Sequence, residues 1–173
     1  MLERLLSADA RGSQALRRAE QPGPLRTAAM LLAHSGDSWF WAAGLALILW
    51  RGDAAWRQWA THIFLAIASL AVIVIVLKLL VRRRRPPGEW GAIYRSTDPH
   101  SFPSGHAARA AMLAVLLCAW GPSWAGPLAV VWAPLVSLAR VALGVHYLSD
   151  IVAGGILGLA AGAIAVGVAG TLP

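Results

Sequence analysis

The chain has 173 residues, room for one domain, and 58% of them are hydrophobic against 13% charged. With a mean hydropathy of +0.61, that balance excludes an ordinary soluble domain. The net charge of +7 gathers at the edges of apolar runs, which points to anionic lipid or phosphate and argues against nucleic acid, since most of the chain must sit in lipid. A single cysteine, Cys118 in an apolar run, rules out an internal disulfide and a cysteine-based metal cluster.

Residues 1–33 alternate charged and apolar positions, with Arg4, Arg11, Arg17, Arg18 and Arg26 among them. Leu5 and Leu6 stand alone between charges, so no signal-peptide core is expected here. Pro22 and Pro24 break any single long helix. This stretch reads as an amphipathic arm lying on the membrane surface, and residues 34–173 as the membrane domain.

A first span is expected from about Ser38 past Trp50, edged by Trp39 and Trp41 at one end and by Trp50, Trp56 and Trp59 at the other. Asp37 or Ser38 is expected to cap it, with bordering a site as the less favoured role. The second span, Ala60 to Leu77, carries no formal charge and runs into Lys78, four arginines and Pro86-Pro87. A polar loop follows to about Phe102. Further spans are expected from about Pro103 to Trp120, Trp124 to Val145 and Leu148 to Leu172, the last rich in Gly and Ala for close helix contact. The fold expected is therefore all-α: a polytopic transmembrane bundle of about five spans plus the arm. The loops after the second and fourth spans then share one side.

Three patches fall on that side. In the first, Lys78, Arg82 and Arg85 are spaced to share one helix face, with Pro86 ending the helix. Arg83 and Arg84 then point away, toward lipid phosphates. Basic flanks also follow many ordinary spans. The second patch is Ser101-Phe-Pro-Ser-Gly-His106 at the head of the third span. Pro103 suits a first helical turn, while Ser104 and Gly105 offer a hydroxyl and backbone N–H groups where phosphate binds well. His106 stands beside them as a proton donor. Taken alone, this is equally an ordinary cap. The third runs from Arg140 to Asp150. Arg140 lies deep in an apolar run, where an ionisable group costs roughly 2.5–3.5 kcal/mol to insert and needs a partner such as an anion. Asp150 follows His146 by four residues. If the connection is helical, its carboxylate reaches the imidazole Nδ1–H and leaves Nε2 free to attack. A structural His–Asp pair is the plainer role for these two. Together the patches bring two histidines, a carboxylate and at least three cations to one face, a set suited to phosphoryl transfer. Nothing has obvious metal-ligand spacing.

These residues resemble the type 2 phosphatidic acid phosphatase superfamily. Lys78 to Pro86 matches K-x6-R-P, Pro103 to His106 matches P-S-G-H, and Arg140 to Asp150 matches S-R-x5-H-x3-D except that Ala139 replaces the serine. The resemblance implies that His146 attacks phosphorus to form a phosphohistidine, Asp150 orients it, and His106 protonates the leaving group and then activates water. It implies that Lys78, Arg85, Ser104, Gly105 and Arg140 hold the phosphate, with no metal and no cofactor. The implied substrate is a phospholipid or a polyprenyl phosphate or diphosphate. A membrane protein that keeps the pocket for lipid binding or transport is the rival, disfavoured because binding alone needs neither a nucleophile nor its orienter. Ala139 removes one phosphate hydrogen bond, so weaker affinity or altered head-group choice is expected. Many relatives have six spans, and here the arm takes the place of the first. The arginines of the arm share the site's side, whereas chiefly Arg51 and Arg57 lie opposite, so the multi-pass protein is expected to carry its site on the cytoplasmic face of the cell membrane.

Overall fold

The computed structural model describes residues 1–88 and 98–170. Among these, seven helices run α1 Leu2–Leu16, α2 Pro24–Ser35, α3 Ser38–Arg51, α4 Ala54–Val81, α5 Gly105–Trp120, α6 Ala125–Ala142 and α7 Leu148–Ala169. The only β feature among them is an isolated antiparallel bridge between Arg84 and His100. The expected polar loop after α4 falls largely on residues 89–97, and the end of the last expected span on 171–173; both lie outside the described residues.

The all-α expectation holds, and the chain is a multi-pass membrane protein. By length and composition, α4, α6 and α7 are long and apolar enough to cross a bilayer; α5 is a shorter apolar helix of 16 residues. The 14-residue α3 is shorter again. It spans about 21 Å at 1.5 Å per residue, less than the hydrocarbon core. α4 starts earlier than its uncharged run suggested, because Asp53 caps it by accepting the Trp56 N–H at 3.0 Å.

The first 33 residues form more than a surface arm. α1 lies across the site end of the bundle, while α2 is docked into it: Ala29 and Ala33 pack with Ala139, Leu143 and Val145. Pro24 occupies the first turn of α2, so it opens a helix rather than breaking one. A division of the chain after residue 33 falls inside α2.

The most intimate packing is between α5 and α7, and it aligns two of the three patches. A Cβ on Gly158 would lie 2.0 Å from the carbonyl oxygen of Ala108, and one on Gly154 would lie 2.4 Å from that of Ser104. Only glycine lets the two backbones approach so closely. At the end of this seam the Ser104 N–H donates to the Asp150 carbonyl at 3.0 Å, tying the head of α5 to the first turn of α7.

Candidate active site

The three patches do converge. Lys78 in the last turn of α4, His106 in the first turn of α5 and His146 before α7 line one cavity of about 230 Å3, together with Gly105, Arg109 and Asp98. Its lower wall is apolar, made by Ile67, Leu70, Val74 and Ile75 of α4. Arg85, Ser104, Arg140 and Asp150 are buried around it.

The first patch is assembled differently from the expectation. α4 ends at Val81, and Arg82 caps it in the left-handed conformation at φ 51°. No helical face therefore joins Lys78, Arg82 and Arg85. Arg82 is exposed and bonds back to the Leu79 carbonyl at 2.7 Å. The chain then runs past the Arg84–His100 bridge, and alternation along it turns Arg83 and Arg85 inward and Arg84 outward. Arg85 donates to the Val145 carbonyl at 2.9 Å and reaches His146 Nε2 at 3.2 Å. Arg83 does not face lipid. It donates to Asp150 Oδ1 at 2.8 Å and to Asp9 Oδ2 at 2.6 Å.

In the second patch Ser104, not Pro103, stands at the helix boundary: it is the N-cap of α5, its hydroxyl accepting the Ala107 N–H at 3.4 Å. Pro103 precedes the helix, after a cis peptide bond. Gly105 opens the first turn, where an added Cβ would meet Val74 at 3.4 Å.

In the third patch the His146–Asp150 connection is not helical. Tyr147 between them is extended and caps α7. Asp150 Oδ2 therefore accepts the Tyr147 N–H at 2.9 Å, and His146 Nδ1 lies 3.4 Å from the same oxygen, beyond a normal hydrogen bond. Ala139 faces α2 in an apolar cluster rather than the cavity.

The structure adds carboxylates that motif spacing did not indicate. Asp37 precedes α3 but makes no side-chain cap. Its Oδ1 instead bonds His106 Nε2 at 2.7 Å, while Oδ2 bonds His34 Nδ1 at 2.8 Å and Trp39 Nε1 at 3.1 Å. The less favoured role, bordering the site, is the one observed. Burial opposes its ionisation, but the His106 and His34 hydrogen bonds outweigh this and hold the carboxyl well below the usual carboxylate range. Asp98 Oδ2 accepts from both Lys78 and Arg85, the latter at 2.7 Å. Burial again opposes ionisation, and the Lys78 hydrogen bond and both cations overcome it. Arg109 ties α5 to the turn before α3, donating from Nε to the Gly36 carbonyl at 2.9 Å and from Nη1 to Ser38 Oγ at 2.6 Å.

These partners fix the protons on the two histidines. A carboxylate only accepts, so Asp37 keeps the proton of neutral His106 on Nε2. A guanidinium only donates, so Arg85 requires a lone pair on His146 Nε2 and leaves the proton on Nδ1, the Asp150 side. Burial, and then the charges of Arg85, Arg140 and Lys78, push the His146 pKa well below its ordinary value. The cavity thus holds one Nε2 that carries a proton and one that carries a lone pair, beside a cluster of cations. Among the described residues, no group of three or more His, Cys, Asp and Glu is arranged to hold a metal.

Residues 59–172 match the PAP2 superfamily. Over 156 residues the chain is 38% identical to a decaprenylphosphoryl-5-phosphoribose phosphatase of Mycobacterium tuberculosis, covering 87% of this chain and 84% of that protein. It is 33% identical over 135 residues to an undecaprenyl-diphosphatase of Sulfolobus acidocaldarius, covering 75% and 63%. The fold is similar to the crystal structure of a transmembrane PAP2 type phosphatidylglycerolphosphate phosphatase from Bacillus subtilis, with a TM-score of 0.74 and 26% identity over 95% of this chain and 86% of that one. It also resembles that of Aquifex aeolicus LpxE, with a TM-score of 0.68 and 24% identity over 89% and 93%.

Proposed function

The chain belongs to the PAP2 superfamily, and on that premise we propose that it is a membrane lipid phosphatase acting through a phosphohistidine on His146. The observation that carries the reading is the opposite state of the two Nε2 atoms at one cavity. His146 Nε2, with its lone pair, attacks phosphorus; the N–P bond forms as the bond to the leaving oxygen breaks. His106, as the imidazolium that the Asp37 carboxylate stabilises, passes a ring proton to that oxygen and is left neutral. Water then enters, His106 takes its proton, and the new hydroxide oxygen attacks phosphorus and releases His146. Lys78, Arg85 and Arg140, with the hydroxyl of Ser104 and the backbone at Gly105, hold the phosphoryl oxygens and stabilise the charge they gain. On this reading the protein cations supply the positive charge and no divalent metal is required. A lipid-binding or transport protein would have no use for a protonated and a bare imidazole nitrogen side by side.

Polyprenyl-linked phosphate is the substrate class favoured by the relatives, and the apolar lower wall of the cavity suits the first carbons of a lipid tail. The test is phosphate release by the purified chain in excess EDTA. The panel is a polyprenyl phosphate sugar, a polyprenyl diphosphate and phosphatidylglycerophosphate. Turnover of a polyprenyl substrate at the highest kcat/KM is expected. Activity lost in EDTA and restored by one added metal overturns the metal-free reading.

The cytoplasmic orientation is proposed on the same footing. Asp9 of α1 bonds Arg83 at the site end, which puts the arginines of the arm on the site's side. A Gln14→Cys, Cys118→Ser variant tests it in intact cells. Protection from an impermeant thiol reagent until lysis is expected, and labelling before lysis overturns it.

A further inference from the structure

The two inward arginines of the segment after α4 bracket His146 from opposite sides. Arg85 meets Nε2, at the cavity. Arg83 lies on the other side, behind Asp150, and fills an unspecified position of the first motif. We propose that Arg83, held by Asp9 of α1, is a positioning residue for the reaction at His146 and acts through Asp150. The proposal rests on His146 being the nucleophile.

The geometry is specific. Arg83 Nη1 donates to Asp150 Oδ1 at 2.8 Å and to Ser149 Oγ at 2.6 Å, and its guanidinium stacks 4.0 Å over the Tyr147 ring. With Oδ1 engaged and the fork fixed by the ring, the carboxylate plane has one orientation. Its remaining oxygen, Oδ2, is the one nearest His146 Nδ1. The Tyr147 N–H and a hydrogen bond with Ser101 also hold this carboxylate, and Arg83 adds the charged, ring-stacked contact that fixes Oδ1.

A guanidinium placed so close to Asp150 also cancels charge that the imidazole needs once its Nε2 bonds phosphorus. Asp9 restores the balance. Its Oδ2 takes Arg83 Nη2 at 2.6 Å, so the set of two carboxylates and one guanidinium, in which Asp150 is buried and Asp9 and Arg83 are partly exposed, keeps a net charge of −1 on the Nδ1 side. Asp9 is itself fixed, because Oδ1 accepts the Ser149 N–H at 3.0 Å; nearby, Ser13 Oγ accepts the Leu148 N–H at 2.9 Å. α1 thus closes the open N-terminus of α7, whose first turn bears Asp150. Burial resists ionisation of Asp9, but its bonds to Ser149 and Arg83 overcome this and keep it charged.

A role through Asp150 separates kcat from KM, because the phosphate-holding cations Lys78, Arg85 and Arg140 are untouched. The full chain in mixed micelles, with farnesyl diphosphate as substrate probe and vanadate as anion probe, tests this. Arg83→Gln is expected to lower kcat and the single-turnover rate of phosphoenzyme formation about 100-fold, the scale of a small misplacement of a reacting group. KM and vanadate inhibition should stay within about twofold. Arg83→Lys keeps the charge without the fork and should recover part of the loss. Asp9→Asn, which preserves shape, is the second variant should Arg83→Gln fail to fold; a loss of about tenfold in kcat at constant KM is expected. Wild-type kcat in folded Asp9→Asn and Arg83→Gln overturns the proposal, and so does a rise in KM that matches the fall in kcat. His146→Ala measured in parallel separates the two readings. If that variant still releases phosphate, the nucleophile assignment fails; if it is inert while Arg83→Gln is fully active, only the positioning role fails.

Discussion

His106 and His146 are each held at Nε2, one by a carboxylate from the turn before α3, the other by a guanidinium from the segment after α4. The same ring atom therefore carries a proton in one residue and a lone pair in the other. On the proposed mechanism, identical side chains at one cavity acquire the roles of acid and nucleophile from their neighbours, as pKa and tautomer follow the partner rather than the residue type.

Breaking each side of the pair should have unequal consequences. His146→Ala removes the atom that bonds phosphorus, so kcat should fall on the order of 10^4-fold or more for every substrate, with no phosphoenzyme trapped. Asp37→Asn leaves His106 in place but frees its tautomer. A loss of about 100-fold is expected on an alkyl phosphate, within the range for general acid–base catalysis. With an aryl phosphate, whose leaving oxygen needs little protonation, the deficit should shrink to about tenfold or less. An equal deficit on both substrates would show that Asp37 does not act through the acid.

The pH profile sharpens the contrast further. Protonation of His146 destroys the attacking lone pair, and burial with three neighbouring cations lowers its pKa. Activity should therefore persist as pH falls through 6.5, and the acid limb of kcat/KM should lie below the ordinary histidine range of about 6.5. Arg85→Gln, which removes one of those cations, should move the limb upward, read against its added cost in KM. The smallest effect belongs to Asp98. Its carboxylate occupies Lys78 and Arg85, where a phosphate is proposed to bind. Asp98→Asn should tighten inhibition by inorganic phosphate or vanadate about threefold to tenfold, the effect of one partly exposed charge.

What the sequence made legible follows the range of each interaction. The apolar runs marked α3 to α7, and Lys78, Arg85, Ser104, Gly105, His106, Arg140, His146 and Asp150 were singled out within single segments, although the helical spacing expected for Arg85 and for His146–Asp150 does not hold. α2 was read as surface arm because its buried face is only Ala29 and Ala33, too small to register as a core stripe. Asp37 lies 69 residues from His106, and no local pattern links them. Arg83 was misread for a definite reason: a helix continued to Arg85 turns it outward, whereas the left-handed Arg82 ends the helix and reverses that sense. Ala139, where the motif names a serine, packs with Ala29 and Ala33 of α2, a contact between distant segments that no local pattern indicates.

The lower wall of the cavity sets how a substrate is counted. Ile75 belongs to that wall and is also 56% exposed on the flank of α4, at a level the bilayer occupies. For the proposed lipid substrate, a head group entering past it would keep its tail among neighbouring lipids, and encounter would take place in two dimensions. The governing concentration is then the mole fraction of substrate in the leaflet. Adding inert lipid at fixed bulk substrate slows the reaction, and adding water does not.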